Sequence, residues 1–337
     1  MRPLAIVLAL LAAPLCAHPV TEAERAGARA YLEAGLPPLP AAWRRGAFEP
    51  EPGVVLETGF LPATAPRRGT VVFAPGFSAP LEMYAETFAA LAAGGWDVAA
   101  LSTRGQGRSA RLGGRPDVAH LEDYADPTAD LARFVARQRG PVAVVAASQG
   151  AHVALRAGVE RAMPAAAYAL VVPMVEVETG PLSARAVERL AALGDPEGAI
   201  LGRGGWDGHD RFAREGGTAE GTFCFDDPAR AHVRHALMTL DPALRVDATS
   251  RGWVRATMRS QRVLPALARR LEAPVLMLTA GADTVVRSDA ARALCAAMPD
   301  CRAEEAPGAK HCMLEEGGPL ADRLAARILA FLAAEVP

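Results

Sequence analysis

Apolar positions along the chain fall into short runs, and most runs lead directly into a stretch with helical spacing. Residues 70–74, 96–101, 142–147, 166–172 and 274–279 are compact apolar runs, partly β-branched. Such runs are too short for ordinary helices and lack the alternation of a half-exposed strand, so they read as buried strands. Residues 54–60 and the region 301–306 read as two further strands. Helical patterns occupy 81–93, 127–138, the stretch that Ser148 opens, 288–298 and 319–334. Strands alternating with helices over this length predict an α/β architecture built on a mostly parallel, doubly wound sheet.

Two stretches interrupt the alternation. Residues 18–53 hold an amphipathic segment (21–36) followed by Pro37-Pro38-Leu39-Pro40, which predicts an N-terminal helix and a wrapping segment without visible chemistry. Residues 173–262 carry no strand pattern, many glycines and most of the large aromatics, Trp206, Phe212, Phe223, Phe225 and Trp253. That block reads as a mainly helical cap or lid inserted between two parts of the core, 54–172 and 263–337. The first residues stand apart from the fold. Met1-Arg2, an apolar run over 4–13 and Pro14-Leu15-Cys16-Ala17 predict a secretory signal peptide (1–17) cleaved after Ala17, with an uncleaved anchor as the competing reading. An apolar run of about ten residues is too short to span a bilayer core of ~30 Å.

Composition narrows the classes. The 337 residues carry a formal net charge of −2, which argues against a nucleic-acid partner. Beyond Cys16 the cysteines are Cys224, Cys295, Cys301 and Cys312. An even number in an exported chain predicts two disulfides with three possible connectivities. The short separation favours Cys295 with Cys301, which leaves Cys224 and Cys312 to each other; four free thiols are the alternative. The spacings do not resemble a zinc site, and no metal or cofactor is expected.

The chemistry centres on Ala146-Ala147-Ser148-Gln149-Gly150, where an apolar strand runs into a helix. A sharp strand-to-helix turn lifts a serine hydroxyl clear of the sheet and frees the next backbone N–H to face an oxyanion. Small residues two before and two after the serine, here Ala146 and Gly150, let strand and helix pack closely. A serine hydrolase also needs a base and a carboxylate that fixes the base's tautomer. Asp283 follows the strand at 274–279 and His311 follows the strand at 301–306, so both fall at the same sheet edge as Ser148. Singly, Asp283 reads as a turn residue and His311 as a surface loop residue; the order Ser, Asp, His is that of an α/β-hydrolase. The backbone N–H groups of Gln149 and of Phe77, in Pro75-Gly76-Phe77, are the candidate oxyanion-hole donors, with a plain Pro-Gly turn as the bland reading of the latter.

On these residues the chain resembles the α/β-hydrolases of the lysophospholipase and monoacylglycerol lipase group, which is related to the serine aminopeptidase-like hydrolases. Ser102-Thr103-Arg104-Gly105-Gln106-Gly107-Arg108-Ser109 resembles that group's Asp-x-Arg-Gly-His-Gly-x-Ser segment, and the elbow, Gly281-Ala282-Asp283 and Lys310-His311 match as well. In the cap, residues 222–227, Arg230 and residues 249–253 are similar to the lysophospholipase version. The chain departs from the group at Ala146, Pro75, Ser102 and Gln106, and Pro75 changes how the oxyanion loop is pinned.

The resemblance implies an exported serine ester hydrolase acting on a monoacyl lipid, a lysophospholipid or a monoacylglycerol, through an acyl-enzyme on Ser148. It implies Trp253 as a substrate-pocket residue and peripheral contact with a membrane. A carboxylesterase for smaller esters and a non-catalytic lipid-binding homologue are the alternatives. An aminopeptidase is disfavoured, because nothing in the cap marks an amine-binding carboxylate cluster. His152 reads as helix packing, His120, His209, His232 and His235 carry no assignment, and Arg251, Arg255, Arg259 and Arg262 read as a solvated helix face.

Overall fold

The computed structural model describes residues 20–200, 224–246 and 248–336. The expected signal peptide and Trp206, Phe212 and Phe223 of the cap lie outside the described residues. In chain order the strands are β1 (Arg44–Glu51), β2 (Val54–Leu61), β3 (Gly69–Ala74), β4 (Trp96–Leu101), β5 (Val118–Ala119), β6 (Val142–Ala147), β7 (Ala167–Val171), β8 (Ala248–Thr249), β9 (Val275–Ala280) and β10 (Cys301–Ala306). The α-helices among the described residues are α1 (Glu22–Gly35), α2 (Ala85–Ala93), α3 (Ala125–Ala136), α4 (Ser148–Glu160), α5 (Ala184–Ala191), α6 (Pro228–Ala231), α7 (Val233–Leu240), α8 (Arg251–Ala268), α9 (Ser288–Ala296) and α10 (Gly318–Glu335).

Eight strands form one sheet in the order β1-β2-β4-β3-β6-β7-β9-β10. The pairs from β4 to β10 are parallel, and β1 and β2 continue the sheet antiparallel. This is the α/β-hydrolase fold. Every residue of β3, β6, β7 and β9 is buried. Since successive side chains point to opposite faces, burial of all of them means that both faces are covered. That is why these strands are apolar throughout rather than alternating.

The wrapping segment contains a strand that the hydrophobic pattern does not reveal. β1 pairs antiparallel with β2 at the edge of the sheet, and Phe48 is its one buried side chain. An edge strand with one face in water needs no run of apolar residues, and it tolerates Pro50. Two short strands also join core and cap: β5 pairs in parallel with β8. α8 begins in the cap and runs through position 262, where the sequence pattern ends the insertion, to Ala268. α1 packs against α7, so the N-terminal helix braces the cap. Among the described residues, no helix is long and apolar enough to cross a membrane.

The tightest approach of the core lies where β6 enters α4. A Cβ added to Gly150 would stand 2.3 Å from the Ala74 carbonyl oxygen and 2.5 Å from that of Pro75. Both are backbone atoms at the end of β3, where the pairing with β6 runs up to Ala74 opposite Ala146, so neither can swing aside as a side chain would. Gly150→Ala should therefore destabilise the protein by about 1–3 kcal/mol, as overpacking does, with a lower urea midpoint as the readout. An unchanged midpoint would mean that the end of β3 is looser than its burial implies.

Candidate active site

The register of β6 delivers Ser148 to the carboxyl edge of the sheet. Ala147 is still extended, and Ser148 turns to a φ of 48° as the first residue of α4. A non-glycine residue rarely occupies the left-handed region, and such strain concentrates at sites of chemistry. The turn is held from behind: the Met174 N–H donates to the Ser148 carbonyl at 3.1 Å. His152, fully buried one turn along α4, lies 3.0 Å by Nδ1 from the Met174 carbonyl and 2.5 Å by Nε2 from the Ser260 hydroxyl on α8. Burial, with Arg156 nearby, pushes its pKa down to about 3, so the ring is neutral and joins the elbow to the cap.

Ser148 meets the two residues that the sequence separates from it. Its Oγ lies 2.9 Å from His311 Nε2. On the other side of the ring, Nδ1 lies 2.7 Å from Asp283 Oδ2. The second carboxylate oxygen of Asp283 accepts the N–H groups of Val285 and Val286 at 2.8 and 2.9 Å, which fixes the carboxylate in the loop after β9. Both side chains are nearly covered, at 9% exposure for His311 and 1% for Asp283. A hydroxyl on a carboxylate-oriented imidazole is the geometry of nucleophilic catalysis.

The loop after β3 runs beside this triad. A Cβ on Gly76 would lie 3.4 Å from that of Ser148. The Gly76 N–H donates to the Tyr84 hydroxyl at 3.2 Å, and the Ser78 N–H donates to Gln106 Oε1 at 2.6 Å. Among the described residues the backbone N–H groups of Phe77 and Gln149 have no partner, which leaves both available to a ligand. The segment 102–109 forms the scaffold beneath. Arg104 holds Asp130 with two bonds of 2.5 and 2.9 Å, and Arg108 joins Glu57, Glu82 and Asp241, each at 2.7 Å. The Ser102 hydroxyl, at one of the departures from the family pattern, donates to Glu57 at 2.9 Å.

A cavity of ≈170 Å³ opens over Ser148 and His311, walled by Phe77, Met83, Phe225 and Val285 with Arg234, His235 and Glu315 among its polar lining. Trp253 is not part of that lining; its ring packs edge-on against Phe77 at 5.1 Å between centroids. The cavity wall also contains a disulfide, Cys224–Cys312; the second bridge, Cys295–Cys301, lies away from it, where β10 begins. Cys312 follows His311 directly, so the first bridge ties the cap to the imidazole loop. Parallel bonds reinforce it: the Lys310 ammonium donates to the Phe225 carbonyl at 2.9 Å, and the Cys312 N–H donates to the Cys224 carbonyl at 3.0 Å. Tyr84, Glu315 and the cavity residues of α7 carry no motif or periodicity signal, and only their convergence marks them.

A serine, a carboxylate and a histidine in this chain order, brought together at the carboxyl edge of a parallel sheet, define an α/β-hydrolase. The chain belongs to the family described as "Serine aminopeptidase, S33", which matches residues 65–318. No curated protein sequence matches it. Among solved structures it is similar to a soluble variant of monoglyceride lipase from Saccharomyces cerevisiae, with TM-score 0.70 and 15% identity over 89% of this chain and 96% of the other. A monoacylglycerol lipase from Paleococcus ferrophilus gives 0.65 and 17% over 83% and 99%. An esterase from Thermogutta terrifontis gives 0.56 and 19% over 87% and 100%. At these identities the likeness is one of fold.

Two outcomes follow from this geometry. Replacing Cys224 and Cys312 together by Ser should lower stability by about 2–4 kcal/mol in urea, since the bridge spans 88 residues, and should slow turnover by freeing the His311 loop. Unchanged turnover in the double variant would show that the polar contacts alone hold that loop. His152, with its folded pKa of about 3 below the ordinary 6.5, is destabilising only where the unfolded chain takes up a proton that the fold refuses. Its contribution is intact above about pH 6.5 and is lost progressively as pH falls toward 3, by at most about 1.4 kcal/mol per unit. Wild type should therefore lose more stability between pH 7 and 5 than His152→Asn; equal losses would contradict the neutral assignment.

Proposed function

We propose that the protein is an exported serine ester hydrolase that cleaves the acyl ester of a monoacyl lipid, a lysophospholipid or a monoacylglycerol. The observation that carries this reading is the chain of hydrogen bonds Ser148–His311–Asp283, at 2.9 and 2.7 Å, opening on a cavity with a largely apolar wall. In the mechanism, His311 takes the Ser148 proton as the hydroxyl attacks the ester carbonyl. Asp283 orients the ring and stabilises the imidazolium. The Phe77 and Gln149 N–H groups receive the oxyanion. The alcohol leaves with the proton from His311, and a water activated by His311 releases the acid.

Export rests on the N-terminal sequence and on the two disulfides, which suit an oxidising compartment. Contact with a membrane surface agrees with the cap, where Arg185, Arg189, Arg255 and Arg262 cluster and Leu190 and Leu193 are exposed. Peptide cleavage from a free amine is not favoured, because Glu315 is the one carboxylate in the cavity lining among the described residues and it is engaged by Tyr84. The cavity volume favours a second reading. At ≈170 Å³ it falls below the roughly 300–1,000 Å³ of common ligand sites, which suits a carboxylesterase for smaller esters.

A p-nitrophenyl ester series from acetate to palmitate, run with wild type and Ser148→Ala, separates these readings. Hydrolysis should fall by about 10⁴–10⁶-fold in Ser148→Ala and rise with chain length in wild type. A preference for acetate or butyrate would select the small-ester reading. Equal activity in Ser148→Ala would remove the site assignment altogether.

A further inference from the structure

A polar chain that runs from the cavity wall into the core has no part in the mechanism above. Tyr84 and Glu315 lie 231 positions apart in sequence, and the Tyr84 hydroxyl donates to Glu315 Oε1 at 2.5 Å. The same hydroxyl accepts the Gly76 N–H at 3.2 Å. Gly76 immediately precedes Phe77, and Glu315 sits four residues after His311, so one hydroxyl links the loop of the proposed oxyanion donor to the loop of the imidazole. The Tyr84 ring cannot drift: it is fully buried, with Phe73 at 4.7 Å and Phe88 at 6.1 Å between centroids.

We infer that Tyr84 and Glu315 are positioning residues that aim the Phe77 N–H at the oxyanion. This rests on the ester-hydrolase reading and supplies what Pro75 removes. A proline has no N–H and its side chain offers no hydrogen bond, so residue 75 cannot pin the loop by donating to it. The pin comes instead from inside, on the next N–H along. The Gly76–Phe77 amide, whose N–H is the one left unpartnered, lies between two pinned peptide planes: Tyr84 holds the Pro75–Gly76 plane through the Gly76 N–H, and Gln106 Oε1 holds the Phe77–Ser78 plane through the Ser78 N–H. Glu315 in turn fixes the Tyr84 hydroxyl, so that its lone pair rather than its proton faces Gly76.

A purely structural role explains this arrangement poorly. Burial raises the pKa of Glu315 above the ordinary carboxylate range and that of Tyr84 further above its own, so the fold bears a cost for holding both polar groups in its interior. A Phe and a Leu of similar volume would fill the same space without that cost. Neither would hold the Gly76 N–H.

The test compares Tyr84→Phe, Glu315→Ala and Glu315→Gln with wild type, measuring kcat and KM on the best p-nitrophenyl ester and the Ki of an alkyl trifluoromethyl ketone, which forms a tetrahedral adduct. Removing a whole oxyanion donor costs about 10²–10³ in rate, so misaligning one should cost about 10- to 100-fold in kcat with KM within twofold. The ketone should weaken by the same factor in Tyr84→Phe and Glu315→Ala. Glu315→Gln keeps an oxygen acceptor for the hydroxyl and should recover most of the loss. An unchanged kcat in folded Tyr84→Phe overturns the inference, as does a fall in kcat without weaker ketone binding. Should Tyr84→Phe fail to fold, the contrast between Glu315→Ala and Glu315→Gln decides by the same criteria, and equal loss in both rejects the role. Ser148→Ala alongside keeps the two levels apart: if ester cleavage survives it, the active-site reading fails, whereas cleavage that needs Ser148 but ignores Tyr84 and Glu315 rejects the positioning role alone.

Discussion

The left-handed turn at Ser148 is the constraint on which the rest of the site depends. It is held because α4 starts so close to the end of β3 that residue 150 has no room for a side chain. The parallel register that pairs Ala74 with Ala146 sets that distance. It also places the Pro75-Gly76-Phe77 loop beside the serine, so one pairing fixes nucleophile and oxyanion loop together. Strain at one residue is small against the burial of four fully covered strands, and the sheet therefore imposes the turn rather than relaxing it.

Around that centre the polar groups act mainly as fasteners. Arg104 with Asp130, and Arg108 with Glu57, Glu82 and Asp241, lock the segment 102–109 under the oxyanion loop. Removing one partner of a buried ion pair costs about 3–5 kcal/mol because the other charge is left uncompensated. A motif that resembles a catalytic signature thus works here by holding the loop at Ser78, whose N–H donates to the side-chain oxygen of Gln106. The ties that hold the cap include α1 packing on α7 and the Cys224–Cys312 bridge next to the imidazole. Its position is therefore coupled to that of the base.

The triad was legible because each member follows a strand whose apolar run is a local signal, and because parallel strands bring their carboxyl ends to one edge. Disulfide pairing was partly legible, since a separation of six positions between Cys295 and Cys301 suits a bridge. Trp253 shows where resemblance misleads about distance: it reaches the site through Phe77 rather than by lining the cavity.

The sequence by itself determined the α/β alternation, the serine elbow and the order Ser148, Asp283, His311, all of which follow from periodicity within short windows. Tertiary structure alone decided that β1 is an edge strand, since one buried phenylalanine among charged residues leaves no period to read. It alone decided that Tyr84 meets Glu315, because their contact spans most of the chain and depends on which loops the sheet order brings side by side. Hydrophobic spacing records which face of an element is buried; it holds no record of the partner that a buried hydroxyl finds across the core.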